Sequence, residues 1–257
     1  MAKGSRGGQR AGGTMSGSGN IKPTPTPTPT PTQVDDTQPA QAMSAQYDAF
    51  MQMSDDQKAD VIDTMIKQGV PAHLADNDFQ KMIYNIGLND KPQLVDDATL
   101  DGMNGTELWR TVNNVYDSKN DISYTADQIA RQVQAGRVTR VSDNGGSVYG
   151  RGIYFADSKS ESSYYGNTRG NVQKTAQIRC KLNSNAKVIN HHNAVQGVNS
   201  EISRGTKLGK VLAKCDRSSQ ASIYSLAKGY NVITSGHGYY NVLNRNAVTM
   251  SNGIKPI

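Results

Sequence analysis

Apolar residues recur with a helical period in the first part of the chain, up to residue 87. A short first helix precedes a second, which begins at Ser54–Gln57, a match to a capping box, and ends at Gly69. A third is capped near Asp76 or Asn77. The apolar positions are Tyr47, Phe50 and Met51, then Val61, Ile62, Met65 and Ile66, then Phe79, Met82, Ile83 and Ile86. These three acidic, amphipathic helices predict a small helical layer, residues 41–104, that packs on the domain that follows.

Beyond residue 105 the apolar runs become shorter and predict strands between helices. Thr106–Val112 predicts a strand with Arg110 near its end, and Thr125 caps a helix, Ala126–Ala135, that Gly136 ends. Further strands are predicted at Thr175–Leu182, Ala186–Ile189, Tyr230–Ile233 and Ala247–Met250, with helices at Ala194–Ser203 and Gln220–Ala227. This mixture predicts an α+β domain over residues 105–257.

Five glycines and four tyrosines lie in one stretch, Gly145–Gly166, which has the sequence GGSVYGRGIYFADSKSESSYYG. Glycines before a short apolar run suit a loop whose backbone adopts positive φ or approaches a ligand closely. The run itself, Ile153–Ala156, is too short for a helix and predicts a buried strand.

A helix is predicted directly after that strand. Asp157 or Ser158 caps it, and it runs from Lys159 to Tyr165 before Gly166 ends it. Ser162 and Tyr165 then share one face, since they are three residues apart. The loop, the strand and the helix together predict a pocket for a flat, polar ligand.

Charge is distributed unevenly along the 257 residues, although the net charge is only +6. Residues 1–32, 33–101 and 102–257 carry net charges of +4, −9 and +11. The basic carboxy-terminal part suits nucleic acid, an anionic dinucleotide or an acidic partner. No apolar run approaches the ~20 residues that a membrane span needs, and no signal-peptide core is present, so we expect no membrane partner.

The amino-terminal tail, residues 1–40, has the composition of a disordered segment. A Gly-, Ser-, Lys- and Arg-rich stretch leads into five Pro-Thr units at Pro23–Thr32. This repeat predicts an extended spacer about 30 Å long. The basic stretch ahead of it either anchors the chain to nucleic acid or an acidic surface, or is simply solvated; the sequence leaves both interpretations open.

No metal site is predicted. Cys180 and Cys215 lack a Cys-x-x-Cys partner and indicate two reduced thiols. Asp96 and its neighbour predict a helix N-cap, since the run lacks the glycine and glutamate of a calcium loop. His191 and His192 are adjacent and point apart, so we interpret both as surface residues.

The segment Gly150–Asp157, Gly-Arg-Gly-Ile-Tyr-Phe-Ala-Asp, resembles the central motif of ADP-ribosyltransferases, in particular the poly-ADP-ribose polymerase branch. Ser162 and Tyr165 follow at the spacing of that branch. The resemblance implies that NAD⁺ is bound as a substrate, with its nicotinamide between Tyr154 and Tyr165 and its carboxamide on Ser162. It also implies that the backbone of Gly152 lies close to the cofactor.

Two further segments carry the resemblance. Leu108-Trp109-Arg110 is similar to a first strand whose arginine grips the phosphate or ribose of the cofactor, so Arg110 is a candidate for that role. Residues 236–250 and the run Lys181–Val188, taken as a strand, resemble ADP-ribosyltransferase-like minor head or accessory virion proteins of bacteriophages. The resemblance covers residues 106 to about 250 and implies a split, antiparallel core of two sheets. It also implies location in the virion or the host cytoplasm, with a host or virion protein as target or assembly partner.

The chain departs from the family at the catalytic carboxylate. The family has a glutamate at the start of the closing strand, where it hydrogen-bonds the ribose and stabilises the cation that forms as the glycosidic bond breaks. Tyr239 occupies that place, and no Asp or Glu follows Asp216. His237 is a candidate for polarising a ribose hydroxyl, but a neutral imidazole does not replace a fixed negative charge. Tyr239 and His237 therefore stand with Arg110 as the candidate catalytic residues.

Three functions remain open from the sequence. An enzyme would move ADP-ribose from NAD⁺ to a protein or hydrolyse NAD⁺, and the set Tyr154, Ser162 and Tyr165 favours this. A catalytically inactive virion protein would keep the fold alone, and the missing glutamate and the long tail favour that. Nucleic-acid binding, through the basic tail or the basic domain, rests on charge alone.

Overall fold

The structure is a computed structural model that describes residues 47–70, 77–87, 91–117, 122–136, 148–167 and 175–256. The predicted disordered tail, residues 1–40, lies outside the described residues. The helices are 47–52 (α1), Asp55–Lys67 (α2), Asp78–Ile86 (α3), Asp97–Gly102 (α4), Ala126–Gln134 (α5), Lys159–Asn167 (α6), His191–Ser203 (α7), Lys207–Leu212 (α8) and Arg217–Ala227 (α9). The strands are Gln93–Val95 (β1), Glu107–Asn113 (β2), Val115–Asp117 (β3), Ile122–Tyr124 (β4), Ile153–Ala156 (β5), Thr175–Leu182 (β6), Val188–Asn190 (β7), Val232–Thr234 (β8), Tyr239–Val242 (β9), Val248–Ser251 (β10) and Lys255–Pro256 (β11).

Capping residues begin several helices where the sequence predicts them. Ser54 and Gln57 form the capping box of α2. Asn77 caps α3, and Asp96 caps α4 by accepting a hydrogen bond from the Thr99 amide. Thr125 begins α5 with a second capping box. The structure thus confirms where these helices begin. The starts were predictable because each cap depends on only a few adjacent residues.

Other helix boundaries differ from the prediction. α2 ends at Lys67, ahead of Gly69, and α6 continues through Gly166 to Asn167. A single glycine costs a helix only about 1 kcal/mol and does not by itself end it. α9 begins at Arg217 rather than Gln220, because Asp216 caps it. The sequence analysis missed α8, and the predicted helix at Ala194–Ser203 begins earlier, at His191.

The α+β class is confirmed, and the sheet is mixed. Nine strands pair in the order β1-β10-β6-β2-β5-β9-β8-β7, with β11 added beside β6. The pairs β1–β10 and β7–β8 are parallel and the others antiparallel. β3 and β4 form a separate ribbon. The run Lys181–Val188 is not one strand: β6 ends at Leu182, the chain turns, and β7 starts at Val188.

Two halves of the sheet meet at a single residue pair. β2 pairs with β6 at seven positions and β5 pairs with β9 at four, but β2 and β5 share only Trp109 and Ala156. Arg110 lies in the middle of β2, three residues before its end, and not near the end as predicted. We call this single-pair contact the β2–β5 junction.

One apolar core lies on the α5 side of the sheet. It contains Leu108 and Val112 of β2, Phe155 of β5, and Ile129 and Val133 of α5, all at most 4% exposed. Strand residues alternate between faces, so Trp109, Thr111, Tyr154 and Tyr239 lie on the opposite face. α6, α7 and α9 cover that opposite face.

A second core joins the amino-terminal helices to α7, α8 and α9. Its fully buried side chains include Phe50, Ile62, Met82, Leu212, Ile223 and Leu226. The surface of this layer carries the ion pairs Lys207–Asp60 and Lys228–Asp55. The predicted packing of the helical layer on the following domain is confirmed.

The amino ends of α3 and α9 cap each other. The Asp78 amide donates to Asp216 Oδ2 at 3.1 Å, and the Asp216 amide donates to Asp78 Oδ2 at 2.7 Å. The Ser219 hydroxyl donates to Asp216 Oδ2 and accepts from the Phe79 amide at 3.0 Å. Carboxylates satisfy amides that a helix leaves without partners, and they complement its dipole. We call this arrangement the reciprocal cap.

We expect Asp216→Ala to lower the free energy of unfolding by about 1–3 kcal/mol, because it removes a cap and leaves buried donors without acceptors. Urea unfolding at pH 7 measures the loss. Asp48→Asn, at an exposed position of α1, is the control and should change little.

Acid should reduce the difference between wild type and Asp216→Ala. Burial raises the pKa of Asp216, but hydrogen bonds from Ser218 and Ser219 outweigh it and hold the pKa below its usual value. The stability that the carboxylate contributes is therefore present above its unfolded-state pKa of about 3.9 and is lost as pH falls through the lower folded-state pKa. A difference that stays constant from pH 7 to pH 2.5 would contradict this assignment.

Candidate functional site

The loop before β5 is fixed by contacts to the rest of the protein. Gly150 and Gly152 have φ of 90° and 152°. A Cβ on Gly152 would lie 2.1 Å from Asn241 Oδ1. The Asn241 side chain is 1% exposed, and its Nδ2 donates to the Tyr149 and Arg151 carbonyls at 3.0 and 3.1 Å. Both backbone conformation and packing therefore require glycine at position 152.

Tyr154 holds this loop through its hydroxyl. The hydroxyl donates to the Gly150 carbonyl at 2.5 Å and accepts from the Tyr149 amide at 3.0 Å. Its ring lies 6.5 Å from the ring of Tyr149. The tyrosine that the resemblance assigns to the nicotinamide thus also sets the position of a second aromatic ring.

Ser162 is held from the sheet below it. It is 4% exposed, and its hydroxyl lies 2.9 Å from that of Thr111 on β2. Gln177 of β6, 1% exposed, donates through Nε2 to Thr111 Oγ1 at 3.2 Å and to Ser163 Oγ at 2.9 Å. Because Thr111 Oγ1 accepts from Gln177, its own proton can be donated to Ser162. Ser162 would then have its proton available for a ligand carbonyl.

Arg110 contacts the β2–β5 junction from the face of the sheet opposite Ser162. It shares a face of β2 with Leu108 and Val112, whereas Thr111 faces Ser162. Its Nη1 donates to the Tyr154 carbonyl at 2.8 Å, which ties the two halves of the sheet together. A second arginine, Arg245, donates to the Gly136 carbonyl at 2.6 Å. Burial, together with the charge of Arg110, lowers the pKa of Arg245 to about 9.

A carboxylate that the sequence analysis missed lies against Tyr239. The Tyr239 hydroxyl donates to Glu161 Oε1, and the Tyr239 ring stacks on Tyr149 with centroids 6.3 Å apart and planes at 20°. Glu161 is in the first turn of α6, one residue before Ser162. Glu161 lies within the central motif block and not at the closing strand, where the family pattern has its glutamate, and its place next to Ser162 was the signal in the sequence.

The two histidine predictions have different outcomes. His237 lies in the exposed turn between β8 and β9, where its amide donates to Ser235 Oγ at 3.0 Å. His192 is exposed as predicted, but His191 is not a surface residue. It is half-buried at the start of α7, edge-on to the Tyr149 ring at 5.3 Å. Burial lowers its pKa, and His192 adds to the effect, so the neutral imidazole is favoured.

One half of the predicted ring sandwich lies outside the described residues. The backbone of α6 is described at Tyr165, but its side chain is not. Tyr154, Ser162, Tyr239 and Glu161 form the part of the candidate site that the described side chains bring together. A cavity of about 480 Å³ lies between the loop at Gly150 and helices α7 and α9, and none of these four residues lines it.

Metal and membrane features are absent from the described part of the chain. Within it, no group of three or more His, Cys, Asp or Glu residues is placed to hold a metal ion. Cys180 and Cys215 are free and buried. None of the helices in those residues is long and apolar enough to cross a bilayer.

We expect Thr111→Val to lower the free energy of unfolding by about 1–3 kcal/mol, because it removes the hydroxyl that contacts the buried Ser162 and accepts from Gln177. Thr111→Ser keeps the hydroxyl and is the matched control. Chemical denaturation measures both variants. Equal stability of Thr111→Val and wild type would show that the contacts of the Thr111 hydroxyl with Ser162 and Gln177 do not stabilise the fold.

Comparison of the chain with protein-family models, with curated proteins and with solved structures gives no match. Similarity to known proteins therefore assigns no family. We therefore infer function from the residues of the site, their contacts and the chemistry that those contacts permit.

Proposed function

We propose that this chain is an ADP-ribosyltransferase-like protein of a bacteriophage that binds NAD⁺ at the β2–β5 junction. The observation that carries the proposal is that the Tyr154 ring and the Ser162 hydroxyl both lie on the α6 side of the sheet, beside this junction. Their motif places them eight residues apart, and the contacts of Thr111 with Ser162 and of Arg110 with Tyr154 bind both to β2. The division of the sheet into two halves supports the split core that the resemblance implies.

The chemistry of the site suits the nicotinamide end of NAD⁺. This ring is flat and cationic, and the faces of Tyr149, Tyr154 and Tyr239 offer aromatic surfaces for it. The Ser162 hydroxyl suits the carboxamide. The +11 charge of residues 102–257 suits the anionic pyrophosphate better than it suits a cationic ligand.

The proposed setting follows the phage resemblance. The protein would act in the virion or the host cytoplasm, with a host or virion protein as the target of transfer or as its assembly partner. A chain that binds NAD⁺ without turnover would instead be a virion accessory protein that keeps the fold and the pocket.

We expect NAD⁺ and nicotinamide to raise the melting temperature, because a ligand that binds only the folded state stabilises it. The stabilisation is about 2.7 kcal/mol when its concentration is 100 times Kd. Ser162→Ala and Tyr165→Ala should reduce or abolish the shift. Ser160→Ala, at an exposed position of the same helix, is the matched control and should retain it.

Differential scanning fluorimetry on the full chain measures these shifts. Absence of any shift with millimolar NAD⁺ would overturn the proposed function. A full shift in both Ser162→Ala and Tyr165→Ala would move the binding site away from α6.

A further inference from the structure

The geometry points to Glu161 as the carboxylate that stabilises the ribosyl cation when the nicotinamide bond of NAD⁺ breaks, with Tyr239 as the residue that positions it. This inference rests on the proposed function. It places the catalytic carboxylate on α6 and predicts that the chain is an active enzyme.

The contacts of Glu161 are those of a functional carboxylate. Its side chain is only partly exposed, yet among the described residues no Lys, Arg or His forms an ion pair with it. The other two glutamates of the chain, Glu107 and Glu201, are both paired with cations. The Tyr239 hydroxyl donates to Glu161. A carboxylate that is not neutralised by a cation has its negative charge available for a ligand.

The surroundings of the carboxylate favour positive charge. The ring of Tyr239 stacks on Tyr149, and Tyr149 lies 6.5 Å from Tyr154. The faces of aromatic rings attract cations, and a carboxylate at their edge adds a full negative charge. This combination suits a ligand that carries or develops positive charge.

The order of the strands places Glu161 opposite Ser162 across the site. β5, which carries Tyr154, lies between β2 and β9. α6 follows β5 directly and contacts β2 through Ser162 and β9 through Glu161. A ligand on Tyr154 would therefore have the serine hydroxyl on one side and the carboxylate on the other.

The reaction needs no further reactant beyond an acceptor. The bond between C1′ of the ribose and the nicotinamide nitrogen breaks, and its electron pair leaves with neutral nicotinamide. The positive charge spreads over C1′ and the ring oxygen, where the carboxylate stabilises it. An oxygen of water or of a protein acceptor then bonds to C1′, and its proton passes to Glu161 and on to solvent.

The test compares NAD⁺ binding with NAD⁺ turnover in the full chain. Release of nicotinamide is measured with water alone and with a bacterial lysate as the source of acceptors, and binding is measured by the melting shift. Glu161→Gln should slow release by about 10²–10³-fold and retain the shift. Asp127→Asn, an exposed carboxylate on α5, is the matched control and should leave both unchanged.

The role of Tyr239 is tested separately, by comparing kcat with KM. Tyr239→Phe should lower kcat about tenfold with little change in KM, because it removes one hydrogen bond that orients the carboxylate. The double variant Glu161→Gln with Tyr239→Glu should regain part of the lost rate, since the charge returns from the neighbouring strand. A rise in KM alone would show that Tyr239 serves only in substrate binding.

The outcomes separate this inference from the proposed function. Turnover that is equal in wild type and Glu161→Gln overturns the role of Glu161 and leaves NAD⁺ binding intact. A wild-type melting shift without nicotinamide release, even with lysate, likewise overturns it. Absence of the shift overturns the proposed function, and the inference fails with it.

Discussion

The β2–β5 junction is the constraint on which the rest of the site depends. Only Trp109 and Ala156 pair there, so two strands that are neighbours in the sheet separate on either side of one residue pair. Side chains supply the connection that the backbone does not. Arg110 donates to the Tyr154 carbonyl from one face, and Thr111 contacts Ser162 from the other. Polar side chains therefore complete the connection between the halves, and polar groups that converge in this way are suited to orient a ligand.

The same residues serve structure and the proposed binding of NAD⁺. Tyr154 fixes its loop through its hydroxyl while offering its ring, and Ser162 is held by a hydroxyl chain that starts at Gln177. Such dual use places the site on strands and a helix and not on a mobile surface. Rigid support of this kind lowers the cost of orienting a substrate.

Local features of the fold were predictable from the sequence, and long-range ones were not. The caps at Ser54 and Thr125 were found because each lies within four residues of its partner. β1 was missed because its three residues become a strand only by pairing with β10, more than 150 positions away. In the site, Tyr154 and Ser162 carried a motif, but the contact between Glu161 and Tyr239 joins residues 78 positions apart. The sequence offered no way to pair them before the sheet order was known.

The reciprocal cap has a consequence for the order of events during synthesis. Its two helix ends are 138 residues apart in the chain. At a translation rate of roughly 5–20 residues per second, the amino end of α3 is made about 7–28 seconds before that of α9. During that interval the amino end of α3 lacks its acceptor, and the apolar side of α1 to α3 has no partner. Closing so long a loop also costs entropy before its contacts form. The apolar side chains of α1 to α3 that pack on α7, α8 and α9 therefore stay uncovered until the last third of the chain is being made.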